Sequence, residues 1–185
     1  MARKKVKFNC FSVSGLQSAL EQLKAYRDSL AAKCEQFCIR LAEQGIEVAK
    51  QHTGKFGSHI VFTIESTTRL PDGAKAIMAG SNTSLIHVMW IGPGVAYGEA
   101  DISPLMMAEF GSGLPAQQNP RGPEFGMGTG TFPGQTHAED PEGWWYQDLE
   151  GEWHHSYGET PEMPMTEADT AMIRAIRKTA REVFR

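Results

Sequence analysis

The sequence predicts an α+β fold, and three observations support this prediction. Apolar residues repeat at steps of three and four over a long stretch near the start, alternating apolar segments fill the middle, and a helical pattern ends the chain. Helices that flank a run of short strands are typical of a small antiparallel sheet covered by helices. We therefore expect a long N-terminal helix and a C-terminal helix packed on such a sheet.

Size and charge narrow the class of protein. With 185 residues, of which 41% are hydrophobic and 22% charged, the chain can bury a core as a single domain over residues 1–185. A formal net charge of -4 argues against nucleic-acid binding as the main function, because proteins with that function usually have a strongly basic surface. We find no signal-peptide pattern and no run of the ~20 apolar residues that a membrane helix needs, so we expect no membrane partner.

The first elements are predicted to be a short strand and a long helical region. Apolar residues alternate over residues 6–10, and Ser14 is placed to cap a following helix. An unbroken apolar stripe at helical spacing follows. Its members are Leu16, Leu20, Leu23, Leu30, Cys34, Phe37, Leu41, Gly45 and Val48. Asp28 and Ser29 could cap a second helix, so we favour two helices, although the unbroken phase also permits one.

Two of the three cysteines lie in this helical region. Cys34 and Cys38 are one helical turn apart among apolar residues. Free cysteine is usually buried, and an odd cysteine count does not form a complete disulfide framework. We interpret the pair as reduced core thiols in a cytosolic setting, with a ligand or redox pair as the alternative.

A β-hairpin is predicted after the long helix ends near Gly54, since glycine tolerates the left-handed conformation found past helix ends. Residues 60–65 and 74–79 are strand-like, and the segment 70–73, Leu-Pro-Asp-Gly, is typical of a turn. Residues 85–91 are almost wholly apolar, which predicts a central strand covered on both faces.

A short helix is predicted next, with Ser103 as cap and Pro104 at its first position, ending at Phe110. Residues 113–158 then form a predicted insertion. Its first part, to about residue 133, is rich in Gly and Pro and indicates a loop.

The second part of the insertion is rich in aromatic residues and is predicted to be a hairpin around the turn at residues 148–151. Tryptophan at this density in an extension packs either on the parent domain or on a partner, because aromatics are enriched in both settings. As an interface hypothesis we select Trp144, Trp145, Tyr146 and Trp153.

The last helix has a cap and two faces. Thr166 is the predicted N-cap, with Asp169 at the capping-box position. The predicted buried stripe consists of Ala168, Met172, Ile176, Ala180 and Val183. A basic face consists of Arg174, Arg177, Lys178 and Arg181. A solvated surface is the simpler interpretation of this face, and contact with DNA or an acidic partner subunit is the alternative.

A search of the sequence for catalytic patterns leaves one enzymatic hypothesis, a metal-dependent hydrolase. The glycine run at residues 126–130 lacks the strand, helix and lysine of a phosphate-binding loop, and Ser112 lacks the frame of a nucleophile elbow. Imidazoles with carboxylates could instead ligate zinc and leave a position open for water, as in a metal-dependent hydrolase. The residues would be His137, Glu139, Asp140, His154 and His155. The two adjacent histidines point to opposite faces of a strand, so only one of them could join such a site.

Four short motifs occur in a characteristic order. Gly15-Leu16 opens the first helix, and Thr53-Gly54 ends the long helix. Glu109-Phe110-Gly111 ends the short helix, and Pro161-Glu162-Met163-Pro164-Met165 precedes the last helix. In this order and spacing the chain resembles the minor tail component or neck (tail-completion) family of long-tailed bacteriophages and prophages.

This resemblance implies a small structural protein, without catalytic residues or a cofactor, that forms a ring, often of six copies, where the filled head meets the tail. Implied partners are further copies of the chain, the head connector, and the tail terminator or tail tube proteins, with non-specific proximity to DNA. The implied location is the neck or tail of the virion, and the host bacterial cytoplasm during assembly. A position on the head side of the connector or within the tail is left open.

Overall fold

The computed structural model describes residues 12–91, 97–113, 118–125, 141–148 and 150–185. The helices are α1 (Val13–Gln51), α2 (Pro104–Phe110) and α3 (Pro164–Val183), with short 3-10 helices at Gly54–His59 and Gly122–Phe125. The strands are β1 (Ile60–Leu70), β2 (Gly73–Asn82), β3 (Ile86–Ile91), β4 (Tyr97–Ile102), β5 (Ser112–Gly113), β6 (Trp144–Gln147), β7 (Trp153–Ser156) and β8 (Gly158–Glu159). The α+β prediction is confirmed. The strand expected at residues 6–10 lies outside the described residues.

The strands form small sheets. β1 and β2 form the predicted hairpin, β5 pairs with β8, and a four-stranded sheet has the order β4-β3-β6-β7. The aromatic hairpin β6–β7 is therefore not a separate extension, because β6 pairs antiparallel with β3 at Met89↔Gln147 and Ile91↔Trp145. This pairing satisfies backbone groups that would otherwise line an open edge of β3.

β3 is central in strand order, as predicted, but it is not covered on both faces. His87 is exposed, and Ile86, Val88, Met89 and Ile91 are only half-buried. The described part of the chain contains no helix that is both long and apolar enough to span a membrane.

The chain divides into two compact units. The first contains α1 up to Gln44, residues 64–78 and residues 172–185, and the second contains residues 45–63 and 79–171. α1, the β1–β2 hairpin and α3 each run through both units. A single domain over residues 1–185 stays a prediction.

α1 is one helix of 39 residues, so the expectation of two helices is wrong. Its cap is Ser12 and not Ser14, because Gly15 N donates to Ser12 Oγ at 3.0 Å. Asp28, the expected second cap, binds the guanidinium of Arg27 at 2.9 Å instead of backbone amides. With that cap absent, the helix continues through Asp28 without a break.

The first unit has a small core near the end of α3. The rings of Phe37 and Phe184 lie 5.9 Å apart, and fully buried Thr179 accepts a hydrogen bond from Gln44 Nε2 at 3.2 Å. The predicted stripe of α3 is wrong at Ile176, which is 44% exposed. Thr179 takes the inward position because its hydroxyl has a partner there.

The two described cysteines are free thiols, and both are half-buried. Cys38 Sγ donates to Ala74 O at 3.3 Å. Burial raises the pKa of the Cys38 thiol, and neighbouring Cys34 raises it further. A raised pKa disfavours the thiolate, the form that reacts and binds metals, as expected for structural cysteines.

Candidate functional site

Two of the motifs that carry the resemblance meet in the second unit. The carbonyl of Ala108, in the last turn of α2, accepts hydrogen bonds from Glu162 N at 2.8 Å and from Met163 N at 3.0 Å. The end of α2 and the segment 161–165 before α3 therefore form one junction, which we call the motif junction.

Glu109 is the centre of the motif junction. Its side chain is buried, with the residue 6% exposed. One carboxylate oxygen accepts from Met165 N at 2.7 Å, and the other accepts from Thr166 N at 3.1 Å. A carboxylate at a helix N-terminus satisfies free amides and complements the helix dipole. Glu109 therefore caps α3 from another helix.

The predicted capping of α3 by Thr166 is wrong for this reason. α3 begins at Pro164, so Thr166 lies inside the first turn, where its hydroxyl donates to Glu109. Asp169 does not complete a capping box, since its carboxylate lies 4.0 Å from the guanidinium of Arg121. The sequence contains one local signal, the acidic residue Glu109 in the last turn of the short helix, two residues before Gly111. It contains no local sign that the partner of Glu109 lies at the start of α3.

Gly111 allows the close approach of the chain at the junction. Its φ is +65°, and a Cβ there would lie 2.2 Å from Glu159 O and 2.9 Å from Pro161 Cδ. Met163 also has a positive φ, 57°, which costs a non-glycine residue roughly 1–2 kcal/mol. The hydrogen bond from Met163 N to Ala108 O holds this conformation.

The residues just after α1 also lie at the motif junction. Gly54 has a φ of +53°, as predicted for the residue past the helix, and a Cβ there would lie 3.0 Å from Glu162 Cγ. Lys55 Nζ lies 2.5 Å from Glu159 Oε2. Three motifs of the resemblance, each about fifty residues from the next in the sequence, therefore lie around one junction.

Neighbouring side chains complete the junction. Phe110 is buried, with its ring 5.5 Å from that of Phe125, and the Arg121 guanidinium lies 5.3 Å from the Phe125 ring. Buried Asn119 donates from Nδ2 to Glu109 O at 2.5 Å. The part of the predicted loop that the structure describes thus packs on α2.

The aromatic hairpin has two different faces. Trp145 pairs with His155 and Gln147 with Trp153, while Trp144 pairs with Ser156 and Tyr146 with His154. Cross-strand partners share a face, and successive residues alternate. Trp145 and Trp153 therefore lie on one face, and Trp144 and Tyr146 on the other.

The face with Trp145 is accessible. Trp145 is 49% exposed, Trp153 39% and Tyr157 64%. The ring of His155 lies 4.8 Å from that of Trp145 and 4.6 Å from that of Tyr157, both edge-on. We call Trp145, Trp153, His155 and Tyr157 the aromatic face.

The opposite face is more covered. Trp144 is half-buried, and a Cβ built on Gly113 would lie 3.0 Å from Trp144 Cη2. Tyr146 is half-buried beside His154, with ring centroids 5.5 Å apart. The four residues of the interface hypothesis thus divide into two exposed and two half-buried residues.

The turn of this hairpin is organised by Asp148. Its Oδ1 accepts from Glu150 N at 3.0 Å and Glu152 N at 2.8 Å, and its Oδ2 lies 2.6 Å from His154 Nε2. The hydrogen bond with His154, followed by that from Glu152 N, lowers the pKa of Asp148. The turn is therefore fixed by a carboxylate that favours its ionised form.

The two described histidines of the hydrolase hypothesis, His154 and His155, lie on opposite faces of β7 and have different partners. His154 contacts Asp148, while His155 Nε2 lies 2.8 Å from Glu142 O on the other face, as the strand geometry predicted. His137, Glu139 and Asp140 lie outside the described residues. Within the part that the structure describes, no three His, Cys, Asp or Glu side chains form a group that could hold a metal ion. The hydrolase stays an untested hypothesis.

A second histidine group was not anticipated from the sequence. On adjacent strands, His87 Nδ1 lies 3.0 Å from Asp101 Oδ1, and its Nε2 lies 3.5 Å from Glu99 Oε2. The hydrogen bond to Asp101, with smaller contributions from the two carboxylate charges, raises the pKa of His87. Only the β3–β4 register, His87↔Asp101, brings these residues together.

The basic face of α3 lies in the first unit. All four of its residues, Arg174, Arg177, Lys178 and Arg181, are exposed. Among the described residues none of the four has a carboxylate within 4.0 Å, whereas nearby Glu182 lies 3.9 Å from Arg40. These cations are available to a partner, and their role stays a prediction.

Comparison with known proteins returned no match: no family model, no curated protein and no solved structure matches the chain.

Proposed function

We propose that the chain is a structural virion assembly protein of the phage head–tail junction. In this role it joins the head connector to the tail tube as part of an oligomeric ring. The proposal gives the chain no catalytic step. Its proposed role is to provide binding surfaces for further copies of itself, for the head connector and for the tail tube.

One observation carries the proposal. The motifs at Thr53-Gly54, Glu109-Phe110-Gly111 and Pro161–Met165 resemble those of neck proteins in sequence, and they lie against one another at the motif junction. Two features of the junction constrain the sequence strongly. Gly111 admits no side chain, and the buried carboxylate of Glu109 caps a distant helix. A shared set of such motifs is what a shared fold would produce.

The aromatic face supplies a surface for the proposed assembly. Three large aromatic side chains, Trp145, Trp153 and Tyr157, are exposed, and the His155 ring lies between those of Trp145 and Tyr157. Tryptophan and tyrosine are enriched at the energetic centres of interfaces. Contacts around a ring are heterologous, so such a face would bind a different surface of the next subunit or neighbour.

Deletion of the gene from its phage or prophage, followed by electron microscopy of the lysate, tests the proposed function. We expect separate DNA-filled heads and finished tails. Normal infectious particles would overturn the proposal.

Complementation then tests the aromatic face. We expect the wild-type gene and Leu70→Ala, which truncates an exposed side chain on β1, to restore joined particles. Trp145→Ala with Trp153→Ala should leave heads and tails separate while the purified protein stays folded. Restoration of joined particles by this double variant would exclude the aromatic face as the attachment surface.

A further inference from the structure

The first half of α1 carries apolar side chains that its own unit leaves uncovered. The helical stretch from Val13 to Leu30 is about 27 Å long at 1.5 Å per residue. Five of its aliphatic side chains are between 40% and 74% exposed. They are Val13 at 74%, Leu16 at 49%, Leu20 at 53%, Leu23 at 53% and Leu30 at 40%.

These side chains follow the period of a coiled coil. The steps between them are three, four and three residues, and Arg27 occupies the position between Leu23 and Leu30. The same alternation continues through Cys34 and Phe37, which are half-buried within the unit. A sustained repeat of 3.5 residues keeps one seam of a helix facing a partner helix. We call Val13, Leu16, Leu20, Leu23 and Leu30 the leucine seam.

The charges of this stretch are compatible with a partner of the same sequence. Residues 13–30 contain two acidic and two basic residues, namely Glu21, Lys24, Arg27 and Asp28. Their formal charges cancel, so two copies do not repel each other. Arg27, the one charged residue at the heptad spacing of the seam, is already paired with Asp28 at 2.9 Å.

The N-terminal residues of the same chain are a less suitable cover. Residues 6–10 alternate with a period of two, and residues 3–5 are Arg-Lys-Lys. A period of two does not match the spacing of holes along a helix, whereas an identical seam does.

We infer that α1 of a second copy of this chain covers the leucine seam, in a coiled-coil contact between the two helices. This inference rests on α1 alone, and it holds whether or not the protein works at a phage neck. It adds a self-association surface distinct from the aromatic face. Two such surfaces on one chain would allow copies to be linked at two separate places.

Sedimentation equilibrium of the full chain tests the inference with two variants. Leu20→Gln with Leu23→Gln removes the centre of the seam. Ser18→Gln with Ala25→Gln introduces the same side chain at exposed positions on the opposite side of α1 and serves as the matched control. Far-UV circular dichroism checks that each variant stays folded, which we expect because the seam makes little contact with its own unit.

The wild-type chain and the control should show the same concentration-dependent mass above that of the monomer. The seam variant should have a lower mass, with a dissociation constant raised by at least about 100-fold, since two half-exposed leucines lose their burial. A monomeric wild-type chain, or a seam variant with the wild-type mass, would overturn the inference. Failure of the neck role would appear separately, as normal particles after gene deletion.

Discussion

Glu109 and Thr166, which are 57 residues apart, form two hydrogen bonds that join the end of α2 to the start of α3. Both the amide and the hydroxyl of Thr166 donate to the Glu109 carboxylate. Met163, directly before α3, has no polar side chain and so cannot cap the helix itself. The cap therefore comes from a distant segment, and it fixes where α3 begins.

Glu109→Gln should lower the free energy of unfolding by about 1–3 kcal/mol, because a neutral amide offers one acceptor where the carboxylate offers two and loses the charge assistance. Urea denaturation measures the effect. Glu150→Gln, at an exposed turn position, is the control and should change the free energy by less than about 0.5 kcal/mol. Equal stability of the two variants would show that the cap contributes little.

Gly111→Ala should be much more disruptive than Gly73→Ala. At Gly111 the added methyl would lie 2.2 Å from a backbone oxygen at a φ of +65°, whereas at Gly73 it meets nothing within 4 Å. We expect Gly111→Ala to destabilise the protein by more than about 3 kcal/mol or to prevent folding. Gly73→Ala should stay within about 1 kcal/mol of wild type. Thermal unfolding of both proteins provides the comparison, and similar melting temperatures would contradict the role given to Gly111.

The features predicted correctly are those with local signals. The β1–β2 turn, the cap of α2 by Ser103, the glycine after α1 and the β6–β7 hairpin each depend on a few consecutive residues. The pairing of β6 with β3 and the cap at Glu109 depend on segments about fifty residues apart. No periodicity in the sequence encodes such contacts.

The sequence predicted which residues belong to the candidate site but not which face of the hairpin each of them occupies. Its aromatic residues were recognised from composition, but Trp144 and Trp145 could not be distinguished, because which face is covered depends on the packing around Gly113. Burial of Thr179 in place of Ile176 had a similar cause. Thr179 needs a hydrogen-bond partner to be buried, and that partner, Gln44, lies in a different helix.

His154→Gln should raise the pKa of Asp148 towards its ordinary value of 3.8, since the hydrogen bond with His154 is the largest cause of the depression. A depressed pKa in the folded state means that this carboxylate stabilises the fold above pH 3.8 and that the contribution is lost as the pH falls through the folded pKa. Carboxyl NMR titration measures the shift. His155→Gln, on the opposite face, should leave the Asp148 pKa unchanged, and an equal shift in both variants would contradict the assignment.

Asp101→Asn should lower the pKa of His87 more than Glu99→Gln does, because the hydrogen bond to Asp101 is the largest cause of the increase. Since the folded pKa is raised above 6.5, the His87 contribution to stability is present below pH 6.5 and is lost as the pH rises through the folded pKa. Titration of the imidazole protons by NMR gives both values. A larger effect of Glu99→Gln would reverse the ranking of the two carboxylates.

The two faces of the aromatic hairpin should respond differently to truncation. Trp144→Ala removes a half-buried ring that lies against Gly113, and we expect it to lower the free energy of unfolding by about 2–4 kcal/mol. Trp145→Ala removes a ring that is 49% exposed, and it should lower that free energy by less than about 1 kcal/mol. Urea denaturation followed by far-UV circular dichroism measures both effects.

This contrast decides whether Trp145 is available for a partner. If Trp145→Ala unfolds the protein as readily as Trp144→Ala does, the aromatic face belongs to the core, and loss of joined particles would then reflect loss of folding. If Trp145→Ala stays folded, any loss of attachment has to arise from the exposed ring. Each tryptophan therefore acts as the matched control for the other, within one strand and at adjacent positions.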